Sequence, residues 1–137
     1  MNIEIFVDTS GWMAILNDDD LAHESAQDWL TQMSPLNFSM ITTDYIIDET
    51  VTLFRSRRYS YLIAPFFKKI FSGNPVQIEW INENRFFQAR DFLFKHEDKD
   101  YSFTDCTSFV VMRELRLTQA LASDRHFKQA GFKPLLC

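Results

Sequence analysis

Glycine and cysteine are both scarce in this chain, which has three glycines and two cysteines among 137 residues. So few glycines argue against a loop that cradles phosphates, and neither G-x-x-x-x-G-K-S/T nor G-x-G-x-x-G occurs. G-x-S-x-G and H-E-x-x-H are also missing. Cys106 and Cys137 form no C-x-x-C motif, and with three histidines the sequence has no pattern of zinc ligands. The cysteines are typical of free thiols in a reducing compartment.

Long hydrophobic runs are missing too, because no stretch approaches the ~20 apolar residues that a membrane-spanning helix needs. The first eight residues contain no basic segment followed by an apolar core, so they do not form a secretory signal. We therefore expect a cytoplasmic protein. The net charge of −5 argues against a purely electrostatic nucleic-acid binder. It allows an enzyme that collects carboxylates around metal ions, because the metals reverse the local charge.

The composition is that of a globular protein, with 46% hydrophobic residues and 14 phenylalanines. We interpret the phenylalanines as core residues rather than as a surface that stacks on nucleic-acid bases. No repeat, low-complexity tract or break in composition divides the chain. The sequence therefore predicts a single domain over residues 1–137.

Short apolar runs alternate with amphipathic segments along the chain. The pattern predicts strands at 3–7, 38–42, 76–81, 119–122 and 135–136. It predicts helices at 12–16, 23–33, 44–54, 57–71, 83–95 and 102–115, and a short one opened by Asp124. Ser10 is the expected N-cap of the first helix, and Gly131 is expected to end the last. This order favours an α/β fold: a three-layer α/β/α sandwich with a parallel sheet of about four or five strands.

Four acidic residues fall where these strands end or where the following helices begin: Asp8, Glu49, Asp105 and Asp124. The carboxyl ends of parallel strands meet at one edge of a sheet, so the four side chains are expected to converge there. Clustered carboxylate oxygens suit Mg²⁺ or Mn²⁺. Each acid also has a structural explanation, as a helix cap or in a salt bridge.

Helical phase separates Glu49 from its neighbour Asp48. Glu49 lies three residues after Ile46 and four before Leu53, so it borders the apolar face of its helix, whereas Asp48 points to solvent. A carboxylate at such a margin needs a cation or a basic partner. Metal ligation and a salt bridge to Arg57 or another basic residue both remain open for Glu49.

The contexts of the last two acids are equally ambiguous. Asp105 completes a capping box with Ser102, although its side of the helix also carries apolar residues. Asp124 follows a strand and is placed to cap the helix after it. We rank the loop residues Asp98 and Asp100 below Asp105, because loop charges are usually solvated. His126 is interpreted as a surface or structural residue rather than as a ligand or base.

Together, the segments around these acids resemble the PIN-domain ribonucleases, in particular the small single-domain VapC toxins of toxin–antitoxin pairs. The resemblance spans nearly the whole chain, and the segments that carry it are Val7-Asp8-Thr9-Ser10, Thr43-Asp44-Tyr45-Ile46-Ile47-Asp48-Glu49-Thr50, Ser102-Phe103-Thr104-Asp105-Cys106 and Ala122-Ser123-Asp124-Arg125-His126-Phe127. Cys106 stands where alanine is common in the family, and the acidic net charge is less typical of an RNA binder.

The resemblance implies that Asp8, Glu49, Asp105 and Asp124 form a catalytic metal cluster, supported by the hydroxyl of Thr9 or Ser10. It further implies cleavage of RNA phosphodiester bonds that depends on Mg²⁺ or Mn²⁺. The implied partners are an RNA substrate, a small antitoxin protein and a second copy of the chain in a homodimer.

The densest cluster of basic residues in the sequence is formed by Arg55, Arg57 and Arg58, and Lys68 and Lys69 form another. They are candidates for RNA contacts, with a solvated helix face as the alternative.

A PIN-like module that binds RNA or protein without cutting is the main alternative function. A HAD-type phosphatase needs a second Asp two residues after the first, where this chain has Ser10, and a receiver domain needs acid pairs that are missing here.

Overall fold

The computed structural model describes residues 2–136, so Cys137 lies outside the described residues. Five parallel strands form one sheet in the order β3-β2-β1-β4-β5. The strands are β1 (Ile3–Val7), β2 (Phe38–Thr43), β3 (Val76–Glu79), β4 (Gln119–Leu121) and β5 (Lys133–Pro134). The parallel sheet confirms the predicted α/β/α sandwich.

Helices form each crossover between successive strands. They are α1 (Thr9–Leu16), α2 (His23–Met33), α3 (Asp44–Ser56), α4 (Ile63–Ile70), α5 (Glu83–Lys95), α6 (Phe103–Glu114) and α7 (Arg125–Gln129), with a 3-10 turn at Ser60–Leu62. No helix within residues 2–136 is long and apolar enough to cross a membrane.

The strand β1 lies at the centre of the sheet, between β2 and β4. Its last three residues, Ile5, Phe6 and Val7, are fully buried because helices cover both faces of the sheet. The chain progresses outward in one direction through β2 and β3, and in the other through β4 and β5. The carboxyl end of β1 is therefore a topological switch point, where parallel α/β folds form their ligand sites.

Side-chain caps start several helices at or near this edge. Asp8, Thr43, Ser102 and Asp124 each accept a hydrogen bond from a backbone N–H in the first turn of the next helix. The other end of α7 closes as predicted at Gly131, which has φ +96°. The N–H of Gly131 donates to the backbone carbonyl of Lys128, and the N–H of Phe132 donates to that of Phe127. This pair of hydrogen bonds is the Schellman motif.

Helix α1 lies so close to β4 that only glycine fits at position 11. A Cβ atom on Gly11 would stand 2.0 Å from the backbone oxygen of Leu121 and 2.9 Å from Cγ1 of Val7. This close approach brings the first turn of α1 against the carboxyl end of β4. It therefore sets the spacing between the segments that carry Asp8 and Asp124.

The sequence-based boundaries of two helices are wrong. The N-cap of α1 is Asp8 and not Ser10, because the Asp8 carboxylate reaches the Gly11 N–H and the helix already begins at Thr9. The expected helix over 57–71 is interrupted: Arg57 is the C-cap of α3 and Arg58 has φ +66°. Pro65 lies in the first turn of α4, where its missing N–H costs no hydrogen bond.

The outer strands are shifted or shortened at the edges of the sheet. The strand β3 ends at Glu79 rather than at residue 81, and β5 pairs at Lys133–Pro134 rather than at 135–136. The N–H groups of Leu135 and Leu136 still donate to the backbone oxygens of Ala120 and Ala122, so the chain stays alongside β4 and the residue after it through Leu136. Edge strands have fewer neighbours to define their ends, which weakens the sequence signal there.

Candidate active site

A cavity of about 190 Å³ opens at the carboxyl edge of the sheet and contains all four acids. Its lining residues are Asp8, Thr9, Ser10, Met13, Ile46, Glu49, Leu53, Arg57, Asp105 and Asp124. The four acids come from four separate segments of the chain, as expected from the strand ends. A larger cleft of about 490 Å³ between α5 and α6 contains none of them.

Asp8 is buried at the floor of the site, directly after β1. Its Oδ1 accepts hydrogen bonds from the N–H of Gly11 at 3.0 Å and from the hydroxyl of Ser10 at 2.7 Å. The pKa of this carboxyl is raised to about 7, mainly by burial and with a smaller contribution from the charges of Asp124 and Asp105, whereas the two hydrogen bonds lower it. Capping therefore occupies one oxygen of Asp8 and leaves the other for the cavity.

Glu49 reaches the cavity from the second turn of α3. The buried hydroxyl of Thr9 donates to Glu49 Oε1 at 2.6 Å, and the hydroxyl of Thr50 lies 3.4 Å from that of Thr9. Asp48 is exposed, in agreement with the helical phase. Within residues 2–136, Glu49 forms no salt bridge with Arg57, although both line the same cavity.

Asp105 forms the capping box of α6 with Ser102, as its sequence context predicted. Its Oδ2 accepts from the N–H of Ser102 at 3.1 Å and from Nδ1 of His126 at 2.9 Å. Burial raises the pKa of Asp105 and the charge of Asp124 adds to this, whereas the hydrogen bonds from Ser102 and His126 lower it. Asp124 caps α7, and its Oδ1 accepts from the N–H of His126 at 2.9 Å.

The four carboxylates share one arrangement of their oxygens. In each, one oxygen accepts hydrogen bonds from donors close by: Asp8 Oδ1, Glu49 Oε1, Asp105 Oδ2 and Asp124 Oδ1. The second oxygen of each accepts no hydrogen bond from any residue in the described range 2–136. The site therefore holds each carboxylate in place and keeps one acceptor of each for another partner.

The donor set fits a divalent cation such as Mg²⁺ or Mn²⁺, which prefers carboxylate oxygens. One oxygen each of Asp105 and Asp124 and a ring nitrogen of His126 lie within 4.8 Å of one another. The raised pKa values of Asp8 and Asp105 reflect buried, mutually repelling charges that a cation would neutralise.

His126 is the site residue that sequence reasoning missed. It was expected to be a surface or structural residue, yet it contacts both Asp105 and Asp124. Its position directly after Asp124 and Arg125 was the available signal, but a single histidine is ambiguous without knowledge of what packs against it.

The arginine cluster is divided by the fold. Arg57 lines the acidic cavity, and its guanidinium lies 3.9 Å from the sulfur of Met13. Arg55 and Arg58 are exposed and do not line the cavity. Asp98 and Asp100, the rival acids, are exposed in the loop before α6 and also lie outside it.

The chain is similar to known proteins over most of its length. Over 128 residues the chain is 35% identical to the 23S rRNA-specific endonuclease VapC20 from two strains of Mycobacterium tuberculosis. The matched residues cover 93% of this chain and 95% of VapC20. The crystal structure of Mycobacterium tuberculosis VapC20, described as a Sarcin-Ricin loop cleaving toxin, has a TM-score of 0.84 and 33% identity, with the same coverage of both chains. Residues 5–133 match the PIN domain. The chain therefore belongs to the PIN-domain family, as its sequence segments predicted.

Proposed function

We propose that this chain is a metal-dependent endoribonuclease that hydrolyses phosphodiester bonds of RNA. The observation that carries the proposal is the convergence of Asp8, Glu49, Asp105 and Asp124 on one cavity, each with one oxygen left for a cation. Its relative VapC20 is named a 23S rRNA-specific endonuclease. We therefore propose ribosomal RNA as the substrate class to test first.

The four carboxylates would hold the cation, which we propose to be Mg²⁺ or Mn²⁺. A bound cation supplies positive charge that polarises a phosphodiester and favours ionisation of water. Thr9 and Ser10 act on the carboxylates rather than on the substrate, since each donates its hydroxyl hydrogen to one of them. This fixes the orientation of Glu49 and Asp8 before substrate arrives, which reduces the reorganisation needed during the reaction.

Arg57 is the proposed phosphate contact of the cavity. It is exposed, lines the same cavity as the acids, and forms no ion pair with a carboxylate of residues 2–136. A guanidinium in this position offers several N–H donors to a phosphate. Because the chain carries a net charge of −5, such a local cation is needed to offset repulsion between RNA and protein. Arg55 and Arg58 remain weaker candidates for contacts along the RNA.

The resemblance also predicts a small antitoxin partner and a homodimer, and we separately expect a location in the cytoplasm. These remain predictions within the proposal, as does a single domain over residues 1–137. The relative described as a Sarcin-Ricin loop cleaving toxin supports the toxin role. Sedimentation of the purified chain, alone and with the product of a neighbouring gene, would test both partners.

The proposal is tested by incubating purified protein with total RNA in Mg²⁺, Mn²⁺ or EDTA. Cleavage should require a divalent cation and should be lost in Asp8→Asn and Glu49→Gln. Asp48→Asn is the matched control, because Asp48 is exposed next to Glu49 on α3, and it should cleave like the wild type. Binding of RNA without cation-dependent cleavage would instead favour the non-cutting module.

A further inference from the structure

His126 contacts two of the four carboxylates at once, through its backbone and its ring. Its backbone N–H donates to Asp124 Oδ1, and its ring Nδ1 lies 2.9 Å from Asp105 Oδ2 and 3.4 Å from Asp124 Oδ1. A carboxylate oxygen only accepts hydrogen bonds, so this contact places a proton on Nδ1. One residue therefore links the start of α6 to the start of α7 across the site.

The imidazole ring is itself held in place. The His126 side chain is 18% exposed and meets the ring of Tyr101 edge to face, with centroids 5.5 Å apart and an interplanar angle of 81°. Tyr101 is buried and packs in turn against Phe109. Rotation of the histidine away from Asp105 would forfeit this aromatic contact.

The two donors to Asp105 act on the same oxygen. Oδ2 accepts from the N–H of Ser102 and from His126, which leaves Oδ1 without a hydrogen bond from residues 2–136. The direction of the carboxylate is therefore fixed by groups from two different segments. Removal of the imidazole would leave Ser102 as the remaining donor and allow the carboxylate to turn.

From these contacts we infer that His126 is a positioning residue of the metal site. It orients Asp105 through its ring and Asp124 through its backbone, so that their other oxygens face the cation, without contacting the cation itself. The inference rests on the proposed function, because it assumes that these carboxylates bind a divalent cation. Second-sphere hydrogen bonds of this kind commonly tune metal affinity.

Direct ligation is the competing role, because the ring nitrogen lies within 4.8 Å of the candidate oxygens of Asp105 and Asp124. The two roles differ in what can replace the ring. An asparagine amide nitrogen reaches about the position of Nδ1, so His126→Asn retains a donor to Asp105, whereas His126→Ala retains none. An amide N–H is not a metal ligand, so asparagine would not rescue ligation through this nitrogen.

The test is a titration of full-length protein with Mn²⁺, followed by electron paramagnetic resonance. His126→Ala should weaken Mn²⁺ binding by about 10- to 100-fold, and His126→Asn should stay within about threefold of the wild type. The matched control is His23→Ala. His23 also has its Nδ1 within hydrogen-bond distance of an oxygen, at 2.7 Å from the backbone carbonyl of Ala14, but it lies on α2 and outside the acidic cavity. Its loss should leave Mn²⁺ affinity unchanged.

Pulsed electron paramagnetic resonance of the bound Mn²⁺ should detect no nitrogen atom coordinated directly to the ion. Nitrogen coordination that disappears in His126→Asn would overturn the inference in favour of ligation. Wild-type affinity in His126→Ala would overturn it, as would an equal loss in folded His126→Asn and His126→Ala. If the wild type itself bound no Mn²⁺, the proposed metal site would fail and the inference with it.

Discussion

Thr9 donates its hydroxyl hydrogen to Glu49 Oε1 at 2.6 Å, joining the first turn of α1 to the second turn of α3. Thr9 is buried and Glu49 is half-buried. The bond fixes the orientation of the acid that α3 carries. It also gives the role of the Thr9 hydroxyl, which directly follows Asp8 in the sequence but donates its hydrogen bond to Glu49.

Replacing Thr9 by valine should impair the site more than the fold. Thr9→Val keeps the side-chain shape but removes the donor, so Glu49 can turn and cation binding should weaken. The stability loss should be about 1 kcal/mol, the usual net value of one hydrogen bond. Mn²⁺ titration and urea unfolding would measure the two effects.

Thr107→Val is the matched control for this change. Thr107 is also buried, and its hydroxyl donates to Thr104 within its own helix. It should lose similar stability and keep Mn²⁺ affinity, while Thr9→Ser should restore both properties. Equal affinity in Thr9→Val and wild type would contradict the role assigned to this hydroxyl.

Asp8 should make the metal-free protein less stable as the pH rises. The pKa of Asp8 is about 7 in the folded protein and 3.8 ordinarily, so between these values the folded state retains a proton that the unfolded state has released. Stability therefore falls across this window, and the loss is complete above pH 7. Asp8→Asn removes the effect and still caps α1, because asparagine is as good an N-cap as aspartate.

In EDTA at pH 8, Asp8→Asn should accordingly be more stable than the wild type, by up to about 4 kcal/mol. The difference should shrink markedly at pH 5. Urea unfolding at the two pH values measures it, with exposed Asp48→Asn as a control that should change stability by less than about 0.5 kcal/mol. A difference that did not vary with pH would contradict the burial assigned to Asp8.

Gly11→Ala should destabilise the protein in spite of the higher helix propensity of alanine. Propensity favours alanine by about 1 kcal/mol in a helix, but the new Cβ would stand 2.0 Å from the Leu121 oxygen. Overpacking costs about 1–3 kcal/mol, and a rigid backbone neighbour puts this site at the upper end. The expected sign is therefore a net loss, measured by thermal or urea unfolding.

Gly131→Ala separates the clash from the effect of backbone conformation. Gly131 has φ +96° with open space around its Cα, so alanine there should cost only about 1 kcal/mol. The loss at Gly11 should be clearly larger. A Gly11→Ala protein as stable as the wild type would show that α1 and β4 are not in the close contact described.

Arg57→Ala should weaken the interaction with RNA and leave the cation site intact. If Arg57 contacts one phosphate, the slope of log affinity against log salt should decrease by about 1. Mn²⁺ affinity should not fall. The control is Arg90→Ala, since Arg90 is exposed on α5, pairs with Asp91 and lies outside the cavity. Equal RNA affinity and salt slope in both variants would refute the phosphate contact.

The alternation of strands and helices was readable from the sequence because burial on both faces of a parallel sheet leaves a strong pattern. The convergence of Asp8 and Asp124 followed from the same rule, since both come directly after strands. The sequence could not decide whether each of these aspartates caps a helix or binds a metal ion. The structure makes them compatible, because each carboxylate uses one oxygen for its cap.

Contacts between distant segments were beyond the reach of the sequence. The bonds from Thr9 to Glu49 and from His126 to Asp105 join residues 40 and 21 positions apart. Neither bond follows from local propensity. The break after α3 is similar, because the helical pattern over 57–71 gave no sign of the left-handed Arg58.

The most direct test of the account is the anomalous diffraction of Mn²⁺ in crystals of the wild-type protein. We predict a Mn²⁺ peak in the acidic cavity, bound by the carboxylate oxygens of Asp8, Glu49, Asp105 and Asp124 that accept no hydrogen bond from residues 2–136. A Mn²⁺ peak elsewhere with none in this cavity, at a concentration that supports RNA cleavage, would contradict it.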